Sequence, residues 1–104
     1  MTRRALDVRE RYRAFEERTY GRPWGLQDLT LGLVGDVGDL VKLVQAHEGV
    51  RVVEDARGAL EHELADVLWS LLVIADRCDV DLETAFTRTM DELDDALAHP
   101  GGGT

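Results

Sequence analysis

The sequence is poor in residues that define whole classes of protein. It has a single cysteine, Cys78, so an internal disulfide is impossible and a secreted disulfide framework is not expected. Its 12 Lys and Arg are outnumbered by 21 Asp and Glu, for a net charge of −9. Because duplex nucleic acid attracts basic proteins, we expect no partner of that kind.

Long apolar runs are also missing. The longest, VLWSLLVIA, is interrupted by Ser70 and falls short of the roughly 18 residues that a membrane span needs. The N-terminal segment RRALDVRERYR has no apolar core of the kind found in signal peptides, and its alternating charges predict a solvated helix. We therefore expect a cytoplasmic protein with no membrane partner.

Helical periodicity dominates what is present. Apolar residues recur at intervals of three and four in four segments, and strand-like alternation is missing. The 104 residues suit one domain, small enough for a second chain to complete its core. The sequence predicts an all-α fold, with residues 1–99 forming one helical domain and residues 100–104 a flexible tail.

Turn and capping residues set the predicted helix ends. The helices are predicted from Arg3 to Arg18, from Gly25 to His47, from Ala59 to Cys78, and from an N-cap at Asp81 up to Pro100. The segment GVRVVEDARG is predicted to be a short loop, either irregular or with a brief extended piece.

Two pairs of acids interrupt apolar helix faces. In LVGDVGDLVKLV, Asp36 projects within the apolar stripe and Asp39 lies just past its edge. Glu63 and Asp66 repeat the three-residue spacing where ELADVLWSLLVIA begins. Either pair alone is common on a solvated helix. Since consecutive helices with a short connection pack antiparallel, the two pairs together predict carboxylates that face each other.

Four facing carboxylates need a positive charge, because an unpaired buried carboxylate costs several kcal/mol. The nearby Lys42 projects from the far side of its helix and is interpreted as a solvent-facing partner of Asp39. His47, His62 and His99 form no Glu-x-x-His pair and are interpreted as surface residues. An all-oxygen ligand set favours Mg²⁺, with Mn²⁺ as a substitute, over zinc or copper.

Magnesium commonly shares its coordination sphere with substrate phosphates, so the acids indicate metal-assisted phosphate chemistry. The alternative is an ordinary helical adaptor whose acids lie on the surface.

The segments LVGDVGDLVKL and ELADVLWSLLVIADRCDVDLETA resemble the MazG-like all-α nucleoside triphosphate pyrophosphohydrolases over about residues 20 to 93. The glycine before the first acid is similar to the dCTP pyrophosphatase-like branch. The resemblance implies a four-helix fold completed as a homodimer or homotetramer. It implies Mg²⁺-dependent cleavage of a nucleoside triphosphate to a monophosphate and pyrophosphate. The implied metal ligands are Asp36, Asp39, Glu63 and Asp66.

The resemblance also shows departures. Asp36 and Asp39 stand where the family usually has Glu, so the reach of each is shorter by one methylene. Thr89 and Leu93 stand where a lysine and an asparagine usually contact phosphates and sugar, and Ala46 replaces a tryptophan of the branch. We therefore expect base recognition to differ.

Other residues offer substitute contacts. Tyr20 aligns with an aromatic position of the branch and Trp24 lies in the same connection; either ring could stack on a base or simply pack at the helix junction. Arg88 could supply the missing positive charge or be an exposed arginine. Glu63 has the longest reach of the four acids and is interpreted as the catalytic base that accepts a proton from the attacking water. A helical dimer that binds metal or nucleotide without turnover is the alternative.

Overall fold

The structure is a computed structural model that describes residues 1–49, 52 and 54–99. It contains four α-helices: α1 (Thr2–Tyr20), α2 (Leu26–His47), α3 (Ala56–Arg77) and α4 (Leu82–Ala98). The described residues contain no strand, which confirms the all-α fold class. No helix among these residues is long and apolar enough to cross a membrane.

The predicted capping residues do end and begin the helices. Gly21 adopts a left-handed φ of 79° after α1, and its N–H donates to the carbonyl of Glu17 at 3.1 Å. Gly49, with φ of 77°, follows α2. The Asp81 carboxylate accepts from the Thr84 N–H at 3.1 Å and caps α4, as predicted.

The start of α3 differs most from its prediction, by three residues. Asp55 precedes the helix with a positive φ of 51°, a conformation that aspartate tolerates better than most residues. A Cβ on Gly58 would lie 2.8 Å from an oxygen of the Asp55 carboxylate. Gly58 therefore leaves room for this carboxylate to fold over the first turn of α3, a local arrangement that apolar spacing does not reveal.

The chain divides into two compact units, Met1–Ile74 and Ala75–Thr104, with the boundary inside α3. The prediction that residues 1–99 form one domain stays a prediction. Residues 50, 51 and 53 of the predicted loop and the whole predicted tail, 100–104, lie outside the described residues.

The first unit joins α1, α2 and α3 around a small apolar core. Its buried side chains include Leu29 and Leu43 of α2 and Val73 of α3. Trp69 of α3 donates from its indole Nε1–H to the carbonyl of Ala5 in α1 at 3.0 Å. Its ring lies 5.8 Å from that of Tyr12, so α3 is attached to α1 by both a polar and an aromatic contact.

A buried ion pair fastens α1 to the connection that leads into α2. The guanidinium of Arg9 binds both carboxylate oxygens of Glu16, at 2.8 and 3.0 Å, and the two residues are only 6% and 2% exposed. Glu16 Oε1 accepts from the Trp24 N–H at 2.6 Å, and Arg9 donates to the Trp24 carbonyl at 2.9 Å. The prediction of a solvated first helix is therefore wrong for Arg9.

Replacing Glu16 tests how much this ion pair contributes to the stability of the fold. In Glu16→Gln the buried guanidinium loses its counter-charge, so we expect the free energy of unfolding at pH 7 to fall by roughly 3 kcal/mol. The matched control is Glu17→Gln, whose carboxylate forms an exposed pair with Arg13 at 3.6 Å. It should cost less than about 1 kcal/mol. Urea denaturation measures both.

The same pair predicts a pH dependence. Burial raises the pKa of Glu16. Hydrogen bonds from Arg9 and from the Trp24 N–H lower it by more than burial raises it, so the pKa lies below its ordinary value. Its contribution to stability is therefore full above the ordinary glutamate pKa and is lost as the pH falls through the lowered folded-state pKa. The difference between the wild type and Glu16→Gln should shrink over that acidic range; a difference independent of pH would contradict the assignment.

Candidate metal centre

Three acidic side chains from two helices meet within the first unit. Asp36 and Asp39 lie one turn apart in the middle of α2, and Glu63 lies in the first half of α3. One carboxylate oxygen from each lies within 4.8 Å of the other two. Oxygens around one Mg²⁺ at about 2.1 Å lie at most about 4.2 Å apart, so small side-chain rotations would close them on a single ion.

Glu63 has the most unusual electrostatic environment in this cluster. Burial raises its pKa, as do a hydrogen bond with Asp36 and the negative charges of Asp36, Asp39 and Asp66. Its Oε1 is buried and has no hydrogen-bond partner among the described residues. A buried unsatisfied oxygen is costly. A cation between the three carboxylates would satisfy it and remove the repulsion, so the residues present fit a metal ion.

Asp66 lies outside this group of three. Its Oδ2 is 3.1 Å from Nε2 of His62, one turn earlier in α3. The charge of Asp66 nevertheless contributes to the raised pKa of Glu63. The structure therefore brings together three of the four carboxylates proposed from the sequence, and ligation by Asp66 stays a prediction.

His62 is predicted from the sequence to be a surface residue, and in the structure it lies beside Asp66. Its side chain is indeed 76% exposed, but it is paired with Asp66. The signal was available in HELAD, where the histidine precedes Asp66 by four residues and Glu63 by one. Lys42 is exposed and, among the described residues, forms no ion pair with Asp39.

The aromatic candidates precede α2: Tyr20 is the last residue of α1, and Trp24 lies in the connection between the two helices. Tyr20 is 61% exposed with its ring 6.4 Å from that of Phe15, and Trp24 is 44% exposed. The helix rises about 15 Å between Leu26 and Asp36. A contact of either ring with a nucleotide stays a prediction. Arg88 is exposed on α4, in the second unit, and its role stays a prediction.

The four helices and the carboxylate cluster indicate an all-α protein with a candidate site for a divalent cation. The sequence profile of the MazG nucleotide pyrophosphohydrolase domain matches residues 25–97. The chain belongs to this family. The matched region contains α2, α3 and nearly all of α4, and therefore the whole cluster.

Curated relatives align with this chain over much of its length. dCTP pyrophosphatase 1 of Rattus norvegicus is 38% identical over 91 residues, which cover 82% of this chain and 54% of the relative. The protein of that name from Homo sapiens is 38% identical over 93 residues, with the same coverage. Gene 37 protein of Mycobacterium phage L5 is 34% identical over 73 residues, 66% of this chain and 63% of the relative. The chain spans little more than half the length of the two pyrophosphatases.

Removing the Glu63 charge should stabilise the metal-free protein. The pKa of Glu63 is raised in the folded state. Its contribution to the stability of the fold is therefore full below the ordinary glutamate pKa and is lost as the pH rises through the raised value. At pH 8 with EDTA, we expect Glu63→Gln to melt a few degrees above the wild type. Differential scanning calorimetry measures the difference.

Glu61→Gln is the matched control, since Glu61 forms an exposed pair with Arg57 at 3.3 Å, outside the cluster. It should not raise the melting temperature. Added Mg²⁺ should stabilise the wild type by linkage and stabilise Glu63→Gln much less. A melting temperature of Glu63→Gln below that of the wild type in EDTA would contradict the repulsion described above.

Proposed function

We propose that this protein is a Mg²⁺-dependent nucleoside triphosphate pyrophosphohydrolase that yields a nucleoside monophosphate and pyrophosphate, with Mn²⁺ as a substitute metal. The observation that carries the proposal is the convergence of Asp36, Asp39 and Glu63 inside the region that matches the family. When Mg²⁺ is bound by few carboxylates, substrate phosphates are commonly among its other ligands. The names of the two pyrophosphatases support the same reaction class.

The proposed metal ligands are Asp36, Asp39, Glu63 and Asp66. The shorter reach of aspartate on α2 is compatible with this assignment, because both aspartates already lie within 4.8 Å of a Glu63 oxygen. When bound, the metal would neutralise charge on the polyphosphate and lower the pKa of a water molecule. The geometry that carries this proposal belongs to one compact unit, Met1–Ile74.

Glu63 is the proposed proton acceptor. A water oxygen bonds to the α- or the β-phosphorus while the bridging P–O bond between these two phosphates breaks. One water proton passes to a carboxylate, and the products are the nucleoside monophosphate and pyrophosphate. The pKa of Glu63 is raised by burial and by the neighbouring carboxylates, which favours a proton on this carboxyl group.

Tyr20, Trp24 and Arg88 are the proposed substrate contacts. Either Tyr20 or Trp24 would stack on the base. Arg88 would supply positive charge in place of the missing lysine. Nucleotide chemistry and a single free cysteine agree with a cytoplasmic location, and we propose that the cellular role is clearing non-canonical or surplus nucleotides.

A second copy of this chain is the proposed protein partner. On α2, the face opposite the buried Leu29 and Leu43 carries Leu31, 71% exposed, and Val34, 67% exposed. Gly35 and Gly38 lie on this face too, and a Cβ at either would meet nothing within 4 Å. Glycine in a helix interior costs about 1 kcal/mol relative to alanine. Close approach of a second helix would offset that cost, in a dimer or a larger homo-oligomer.

A non-catalytic relative is the second candidate. Thr89 and Leu93 carry no charge, and Leu93 is 51% exposed on α4. If the phosphates require the two contacts that these residues replace, the protein would bind metal or nucleotide without turnover.

Product analysis by ion-exchange chromatography tests the reaction. We expect ribo- or deoxyribonucleoside triphosphates with Mg²⁺ or Mn²⁺ to give monophosphate and pyrophosphate, and the panel identifies the base. Glu63→Gln should lose activity by about 100-fold or more, because it removes both a ligand and the proton acceptor. The matched control, Glu61→Gln, should retain activity.

Other products would be equally informative. Diphosphate plus inorganic phosphate would keep the metal centre but contradict the bond that we assign. No turnover with any triphosphate would favour the non-catalytic candidate.

Sedimentation velocity tests the proposed dimer. Val34→Glu places a charge in the proposed interface, so we expect dimerisation to weaken more than about tenfold. The control His47→Glu changes an exposed residue at the end of α2, away from this face, and should leave the association unchanged. A monomeric wild type, or an unaltered Val34→Glu dimer, would contradict the proposal.

A further inference from the structure

The Asp66 carboxylate can turn either toward the acidic cluster or toward His62. Side chains in a helix lean toward its N-terminus, so the Asp66 carboxylate lies over the turn that carries His62 and Glu63. Glu63 is part of the three-carboxylate cluster, and Asp66 is not. Instead, Asp66 Oδ2 lies 3.1 Å from Nε2 of His62.

We infer that His62 competes with the metal for the Asp66 carboxylate, and that His62 is thereby a positioning residue that sets the metal affinity of the centre. This inference rests on the metal site of the proposed function. It adds to that function a residue that lies outside the proposed ligand set.

Electrostatics favours the His62 position of Asp66 in the metal-free protein. Turned toward the cluster, Asp66 would bring a fourth negative charge against the three carboxylates. Next to His62 its Oδ2 lies 3.1 Å from the imidazole Nε2, and the carboxylate keeps its contact with solvent, since its side chain is 44% exposed. The His62 position therefore relieves repulsion without burying a charge.

A bound cation reverses this preference. Rotation between staggered χ1 positions is enough to move the carboxylate from one partner to the other. The measured metal affinity is then reduced by the fraction of molecules in which Asp66 is held by His62. Because this pair is exposed, with His62 at 76%, the competition is modest. Removing His62 should tighten Mg²⁺ binding roughly two- to fivefold.

Isothermal titration calorimetry with Mg²⁺ alone tests the inference in four proteins: the wild type, His62→Ala, Asp66→Asn and the double variant. We expect His62→Ala to bind more tightly by the factor above, and Asp66→Asn to bind more weakly than the wild type. In the Asp66→Asn background, His62→Ala should have no effect, because the carboxylate for which it competes is gone.

The matched control is His99→Ala. His99 forms a similar pair four residues from Asp95, with Nδ1 and Oδ1 3.4 Å apart, on a helix that contributes no carboxylate to the cluster. Its removal should leave the Mg²⁺ dissociation constant unchanged. A change equal to that of His62→Ala would show a general charge effect and overturn the inference.

The remaining outcomes separate this inference from the proposed function. Unchanged or weaker binding by His62→Ala, or an equal gain in the Asp66→Asn background, would overturn the competition while leaving the metal centre intact. A wild type that binds no Mg²⁺ would overturn both.

Discussion

Mutual repulsion among carboxylates is the constraint on which the structure of this centre depends. Asp36, Asp39 and Glu63 are brought within 4.8 Å by the packing of α2 against α3, and burial together with its neighbours' charges raises the pKa of Glu63. The apolar core holds the helices together against this repulsion, with Leu29, Leu43 and Val73 buried. A fold that keeps like charges close at a cost to its own stability is one in which the charges are expected to serve a ligand.

The buried ion pair of Arg9 and Glu16 is an example of buried charges that are stabilised by groups of the chain itself. Both carboxylate oxygens of Glu16 and both terminal nitrogens of Arg9 have partners, and the pair also satisfies both backbone groups of Trp24. Glu63, by contrast, has a buried oxygen without a partner among the described residues. The same unit therefore contains one charged group completed from within and one left to be completed by something bound. This difference separates the carboxylate cluster from ordinary surface acidity.

The sequence predicts those features that depend on helical period and misses those that depend on choices between neighbours. Apolar spacing and capping residues located all four helices, and acids placed against apolar stripes indicated which parts of α2 and α3 meet. Spacing alone cannot decide whether Asp66 turns to Glu63, three residues back, or to His62, four residues back, because both lie on the same face. The Arg9–Glu16 pair escaped prediction because its seven-residue separation exceeds the usual side-chain pairing distance and because it requires Trp24 from the following connection.

The two apolar faces of α2 connect the proposed dimer with the proposed metal site. One face packs within the chain, and the other, with Leu31 and Val34, is exposed. At about 100° per residue, Asp39 lies between these faces, which agrees with its exposure at the edge of the cluster. A second copy bound to the exposed face would remove water from the side of Asp39 and so lower the local dielectric. Charge repulsion within the cluster and attraction for a cation would both become stronger there. In the proposed assembly, metal binding and association are therefore linked, each favouring the other through the solvation of one carboxylate.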